Sequence, residues 1–193
     1  FELTNDQKKS IKEINTDLRS ELKMFRLLQG DVGSGKTIVS LVAAANVVNS
    51  NWQVALMAPT EILAKQHYDL AIKIFANTKV KIEFLTGKTE YKIKNKIYEK
   101  IKCGETNILI GTHSLFQKNV VFKKLGLIII DEQHKFGVKQ RIELSKKGGV
   151  NCDILLMSAT PIPRTLVLSF YGDMDVSKIA EKPLNRKKNN YTK

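Results

Sequence analysis

Gly30, Asp31, Val32, Gly33, Ser34, Gly35, Lys36 and Thr37 follow one another between an apolar run and a run of helical character. The spacing is G-x-x-x-x-G-K-[ST], and its chemistry is phosphate capture. Glycines let the backbone close around phosphate oxygens and turn several N–H groups inward as an anion nest. The amino end of the following helix adds its positive dipole. Lys36 supplies a cation for the outer phosphates, and Thr37 offers a hydroxyl to Mg²⁺. Far along the chain, Asp131 and Glu132 end the apolar run "LIII". A carboxylate at the carboxyl end of a buried strand sits where open α/β sheets bind ligands. Asp131 suits the metal, and Glu132 suits a general base acting on water. A loop and a carboxylate pair of this kind predict a nucleotide triphosphatase using ATP and Mg²⁺, with Lys36 and Glu132 as its catalytic residues.

Those residues need strands that end where they stand and helices that start there. Hydrophobic periodicity supplies both. The pattern predicts a helix from Thr4 to Arg19, opened by a capping box in which Gln7 reaches back to Thr4. Strands are predicted at Met24–Gln29, Gln53–Ala58, Lys79–Leu85, Asn107–Gly111, Leu125–Glu132 and Cys152–Thr160. Helices are predicted at Lys36–Asn49, Glu61–Ala76 and Thr89–Lys102, and from Pro163 onward. Strands alternating with helices define an α/β fold: a mostly parallel sheet with helices on both faces. The uniformly apolar strand before Asp131 is expected to be buried on both sides.

The chain has 193 residues, 42% hydrophobic, enough for one domain with a sizeable core. Its net charge of +13 fits a polyanionic partner. A lysine-, asparagine- and isoleucine-rich composition of the kind AT-rich genomes encode gives the same excess, and only Arg19, Arg26, Arg141, Arg164 and Arg186 are arginine. No run is long enough for a membrane span. Cys103 and Cys152 lack ligand-like neighbours and read as reduced thiols, which fits a cytoplasmic protein. The three histidines lack metal-ligand spacing; His67 reads as structural. Lysines between Lys79 and Lys102 read as a solvated helix face or as a DNA-facing one.

The segments GDVGSGKT, APTEILAKQH, TG at Thr86 and Gly87, GTHSLF, DEQH and SATPIPRT occur in the order found in superfamily 2 helicases. The chain resembles that superfamily over nearly its whole length. The wording is nearest to its members that remodel branched DNA and stalled replication forks. The resemblance implies a RecA-like P-loop motor lobe over residues 1–180, with 181–193 beginning a linker to a second RecA-like lobe. It also implies an upstream junction-binding domain, forked or branched DNA as partner, and roles in repair and recombination. Residue by residue, it implies that Gln7 reads adenine, a role that competes with its capping box. Pro59, Thr60, Thr86, Gly87 and Thr112 touch the DNA backbone, although Thr60 equally suits a helix N-cap. His134, Ser158, Thr160 and Arg164 link nucleotide state to DNA grip. Two other readings stay open: a transcription-coupled repair translocase, and a regulatory module that binds ATP without hydrolysing it. The stretch by itself is expected to turn ATP over very slowly.

Overall fold

The computed structural model describes residues 2–132, 152–160 and 174–181. In order, it contains α1 (Asn5–Leu18), β1 (Phe25–Gly30), α2 (Lys36–Asn49), β2 (Gln53–Met57), α3 (Glu61–Phe75), β3 (Ile82–Leu85) and α4 (Tyr91–Cys103). Then come β4 (Ile108–Gly111), a 3-10 turn at His113–Phe116, β5 (Leu125–Ile130), β6 (Asp153–Ser158) and β7 (Asp175–Ile179). The seven strands form one sheet in the order β3-β4-β2-β5-β6-β1-β7. Every pairing is parallel. All carboxyl ends therefore open on the same edge, the edge the chemistry requires.

Strand pleating divides the core in two. Leu28, Val54, Leu56, Leu127, Ile129, Leu155 and Met157 face one side, where Ile14 of α1, Leu41 and Ala44 of α2, and Ala71 and Phe75 of α3 cover them. Their neighbours Leu27, Ala55, Met57, Ile128, Ile130 and Leu156 face the other side, against Ile97 and Ile101 of α4 and Leu115 of the 3-10 turn. Both faces are apolar, which is why β5 reads as an unbroken hydrophobic run.

Three expectations are corrected in detail. The strand foreseen at Lys79–Leu85 begins only at Ile82, because Lys81 is drawn aside: its N–H donates to Asn107 Oδ1 at 2.8 Å and its ammonium meets Glu105 at 2.8 Å. Asp131 and Glu132 lie just past β5 rather than within it, since the ladder of β5 with β2 ends at the pair Met57 and Ile130. The edge strand β7 is a strand no sequence signal announced. The helix expected from Pro163 and the linker after Glu181 lie outside the described residues.

β4 ends where backbones crowd. A Cβ added at Gly111 would stand 1.9 Å from the carbonyl oxygen of Leu85 on β3. That neighbour is main chain and has nowhere to retreat. Gly111→Ala is expected to lower unfolding stability by about 3 kcal/mol, the upper end of overpacking costs. A denaturant midpoint close to wild type would contradict this.

Candidate ATP site

The loop that opens α2 owes its shape to two residues in the left-handed region, Gly33 at φ 84° and Gly35 at φ 89°. Gly35 is also the N-cap of α2. Lys36 is 9% exposed and its ammonium donates to the carbonyls of Gly30 at 2.5 Å and Asp31 at 3.0 Å. Burial lowers its pKa from the ordinary lysine value, opposed by the charges of Asp131, Glu132 and Asp31. A desolvated ammonium held by two neutral carbonyls is a poor substitute for one held by phosphate, so the site favours an arriving anion. Ser34 Oγ is buried without a hydrogen-bond partner among the described residues, and a Cβ at Gly30 would lie 2.6 Å from it. An orphaned hydroxyl inside a glycine cradle fits a loop built to wrap a polyphosphate.

Gln7 is buried at 1% exposure. Its Oε1 accepts from Thr4 N at 3.0 Å, and Thr4 Oγ1 accepts from Gln7 N at 3.3 Å, completing the expected capping box. Its Nε2 donates to Ser34 O at 2.7 Å. One amide therefore closes α1 and also fastens the phosphate loop. One lone pair and one N–H of that amide remain for further partners.

β6 lies between β5 and β1, and pairs Leu156 with Ile130 and Ser158 with Gln29. Asp131 and the phosphate loop are thus one strand apart on the same edge. Asp131 is 7% exposed; its N–H donates to Met57 O at 2.8 Å. Its Oδ1 accepts from Glu132 N at 3.0 Å, and its Oδ2 meets His67 Nε2 at 2.7 Å. Glu132 has φ 49°, a left-handed conformation that carries a steric cost of about 1–2 kcal/mol for a residue with a Cβ. Strain of this kind gathers at functional sites. Thr37 and Asp131 carry a hydroxyl and a carboxylate, oxygen donors of the kind Mg²⁺ takes. Among the described residues no cluster of three or more His, Cys, Asp or Glu could cage a metal alone.

Around this centre, Ser158 Oγ pairs with Thr160 Oγ1 at 3.0 Å and accepts from Thr160 N at 3.2 Å, while Gln29 Nε2 donates to Thr160 O at 3.1 Å. The Ser158 and Thr160 hydroxyls bond each other. His134 and Arg164 lie outside the described residues. Thr60 is exposed and caps α3, its Oγ1 accepting from Leu63 N at 3.3 Å. Pro59 precedes it at the carboxyl end of β2. Gly87 is open, with nothing within 4 Å of an added Cβ. Thr86 and Thr112 turn inward, at 5% and 2% exposure. Thr86 bonds the Glu61 carboxylate, and Thr112 Oγ1 lies 3.4 Å from Ser114 Oγ.

Sequence reasoning read His67 as structural and missed its contact with Asp131. The histidine belongs to the buried stripe Ala64, His67, Ala71 and Phe75 of α3. A lone polar residue in that stripe needs a partner, and this was the available signal.

A parallel sheet whose P-loop and carboxylate pair open one strand apart is a RecA-like P-loop fold. The chain belongs to the DEAD/DEAH box helicase family, whose pattern it matches over residues 4–168. Among curated proteins it is similar to the ATP-dependent DNA helicase RecG of Aquifex aeolicus, 52% identical over 97% of this chain and 24% of that protein. The RecG of Streptococcus pneumoniae is likewise 52% identical, over 97% of this chain and 27% of its own length. A solved structure of RecG bound to a three-way DNA junction superimposes with a TM-score of 0.83 at 46% identity, covering 97% of this chain and 25% of that one. The chain spans about a quarter of the length of these relatives.

Proposed function

We propose that this chain is the nucleotide-binding lobe of an ATP-driven motor that remodels branched DNA, including stalled replication forks, in repair and recombination. The observation carrying the proposal is the phosphate loop and the Asp131–Glu132 pair on one sheet edge, in a chain that aligns over 97% of its length with about a quarter of a RecG helicase. Gly30 to Thr37 hold the phosphates, and Lys36 exchanges its carbonyl partners for phosphate oxygens. Thr37 and Asp131 hold Mg²⁺, which neutralises phosphate charge when bound. Glu132 takes a proton from the attacking water. Gln7 keeps the loop in register with α1 and offers its remaining N–H and lone pair to adenine.

Pro59, Thr60, Thr86 and Gly87, with Thr112, form the turns that follow β2, β3 and β4 on the same edge, and carry DNA backbone contact. Thr60 and Gly87 are its exposed points, and Thr86 and Thr112 shape the turns from inside. Ser158, Thr160, His134 and Arg164 pass nucleotide state to that surface. A second RecA-like lobe and a junction-binding domain complete the machine in the bacterial cytoplasm.

The test is ATP hydrolysis by the full-length protein with forked, linear duplex and no DNA at matched nucleotide concentrations. Forked DNA is expected to stimulate most. Hydrolysis indifferent to all DNA would overturn the DNA-motor reading, and ATP binding with no hydrolysis under any of the three conditions would replace it with a regulatory nucleotide-binding module.

A further inference from the structure

We infer that His67 is a positioning residue for the metal. It holds the Asp131 carboxylate so that its remaining lone pairs face Mg²⁺. The inference rests on the reading that Asp131 carries the metal, and it assigns α3 a part in the ATP site. His67 is 7% exposed and its Nε2 lies 2.7 Å from Asp131 Oδ2. An ionised carboxylate only accepts, so Nε2 carries the hydrogen and donates it, and a neutral imidazole suffices.

The other oxygen, Oδ1, already accepts from Glu132 N. Among the described residues each carboxylate oxygen thus has one side-chain or main-chain donor. A carboxylate is free to rotate about its last torsion, which is broad for Asp. Two donors from different directions remove that freedom. One lone pair is left on each oxygen, which is what a single metal contact needs. Outer partners of this kind, donating to a ligating carboxylate, commonly set metal affinity by about tenfold to a hundredfold.

The contact also crosses elements. α3 starts at Thr60, at the carboxyl end of β2, and β2 runs beside β5 in register to Met57 and Ile130. His67 lies two turns into that helix and leans over the end of β5. A histidine needed only to fill the buried stripe could have met a main-chain carbonyl; this one meets the carboxylate at the metal position.

The test uses the full-length protein and a fluorescent, non-hydrolysable ATP analogue, bound in EDTA and over a magnesium titration. Wild type, His67→Leu and His67→Gln are compared; glutamine returns an N–H near the position of Nε2. In His67→Leu the half-saturating magnesium concentration is expected to rise about tenfold to a hundredfold, with the EDTA affinity unchanged. His67→Gln is expected to restore the wild-type magnesium requirement. His67→Met, which also lacks a donor, serves in the same role if the leucine protein does not fold.

An unchanged magnesium requirement in the donor-free variants would overturn the inference. So would an equal loss of affinity in EDTA, which would make His67 a packing residue, or a glutamine variant no better than leucine. Asp131→Ala separates the two layers. If it keeps the magnesium-dependent gain in affinity, the metal reading itself is wrong and the role of His67 falls with it.

Discussion

Glu132→Gln in the full-length protein is expected to keep Mg-ATP affinity and to slow turnover by about 10²–10⁴, the range contributed by a positioned general base. The amide keeps the size and hydrogen-bonding reach of the carboxylate but cannot take a proton. Metal and phosphate contacts stay with Thr37, Asp131 and Lys36, so binding is spared. The main chain contributes to the precision of the placement. Glu132 is held at φ 49° while its N–H donates to Asp131 Oδ1 at 3.0 Å, so the Glu132 main chain and the Asp131 carboxylate are fixed to each other. Nucleotide affinity and single-turnover hydrolysis measured on the same preparation distinguish the outcomes. Near wild-type hydrolysis would remove Glu132 as the base, and weakened nucleotide binding would make it part of the nucleotide cradle.

Residues 1–193 expressed alone are expected to bind nucleotide but to hydrolyse it about 10³–10⁵ more slowly than the full-length protein, the worth of an arginine finger. The described arginines are placed for other tasks. Arg26 is 8% exposed and ties β1 to α1 and β7 through Asp17 at 2.7 Å, Glu13 at 3.7 Å and Asp175 at 3.7 Å. Arg19 closes the carboxyl end of α1, and it lines a cleft with Lys23 and Trp52 at the amino-terminal edge of the sheet, opposite the phosphate loop. Charge facing the γ-phosphate is therefore expected from a second lobe. Binding is read as a rise in melting temperature with ligand, and turnover as phosphate release with and without forked DNA. Rapid DNA-stimulated hydrolysis by residues 1–193 would place the finger within this chain and make Arg164 its candidate.

The phosphate loop and the carboxylate pair of the candidate site were legible because their residues are specified by local chemistry. Close wrapping around phosphate needs the glycines of the loop, and the pair Asp131–Glu132 stands out against four apolar residues. Helix starts were legible for the same reason: Thr4 and Thr60 both cap as their types suggest. What escaped depends on partners distant in sequence. β7 is short and half polar, and its place is set by pairing with β1 and by Ser177 bonding to Arg26 at 2.9 Å across 151 positions. The link from His67 to Asp131 spans 64 positions and exists only because β2 and β5 are neighbours. Thr86 and Thr112 look like surface hydroxyls in sequence, and only the crowding of β3 against β4 turns them inward.

β7 has a mechanical meaning. It runs parallel to β1, with Ile179 beside Gly30 at the foot of the phosphate loop. Just beyond it, Ala180 N and Glu181 N donate to Asp6 Oδ2 at 2.8 and 2.9 Å, while Glu181 Oε2 accepts from Asn5 N at 3.0 Å. A pull along the strand axis from residues past Glu181 meets this reciprocal clasp first. It then meets ladder bonds lying across the direction of load, so they must shear together instead of peeling one at a time. The edge strand can bear tension, and the tension arrives beside Gly30, where the loop answers to phosphate. Traction on one side and nucleotide on the other would meet at a single strand boundary, a few ångströms wide.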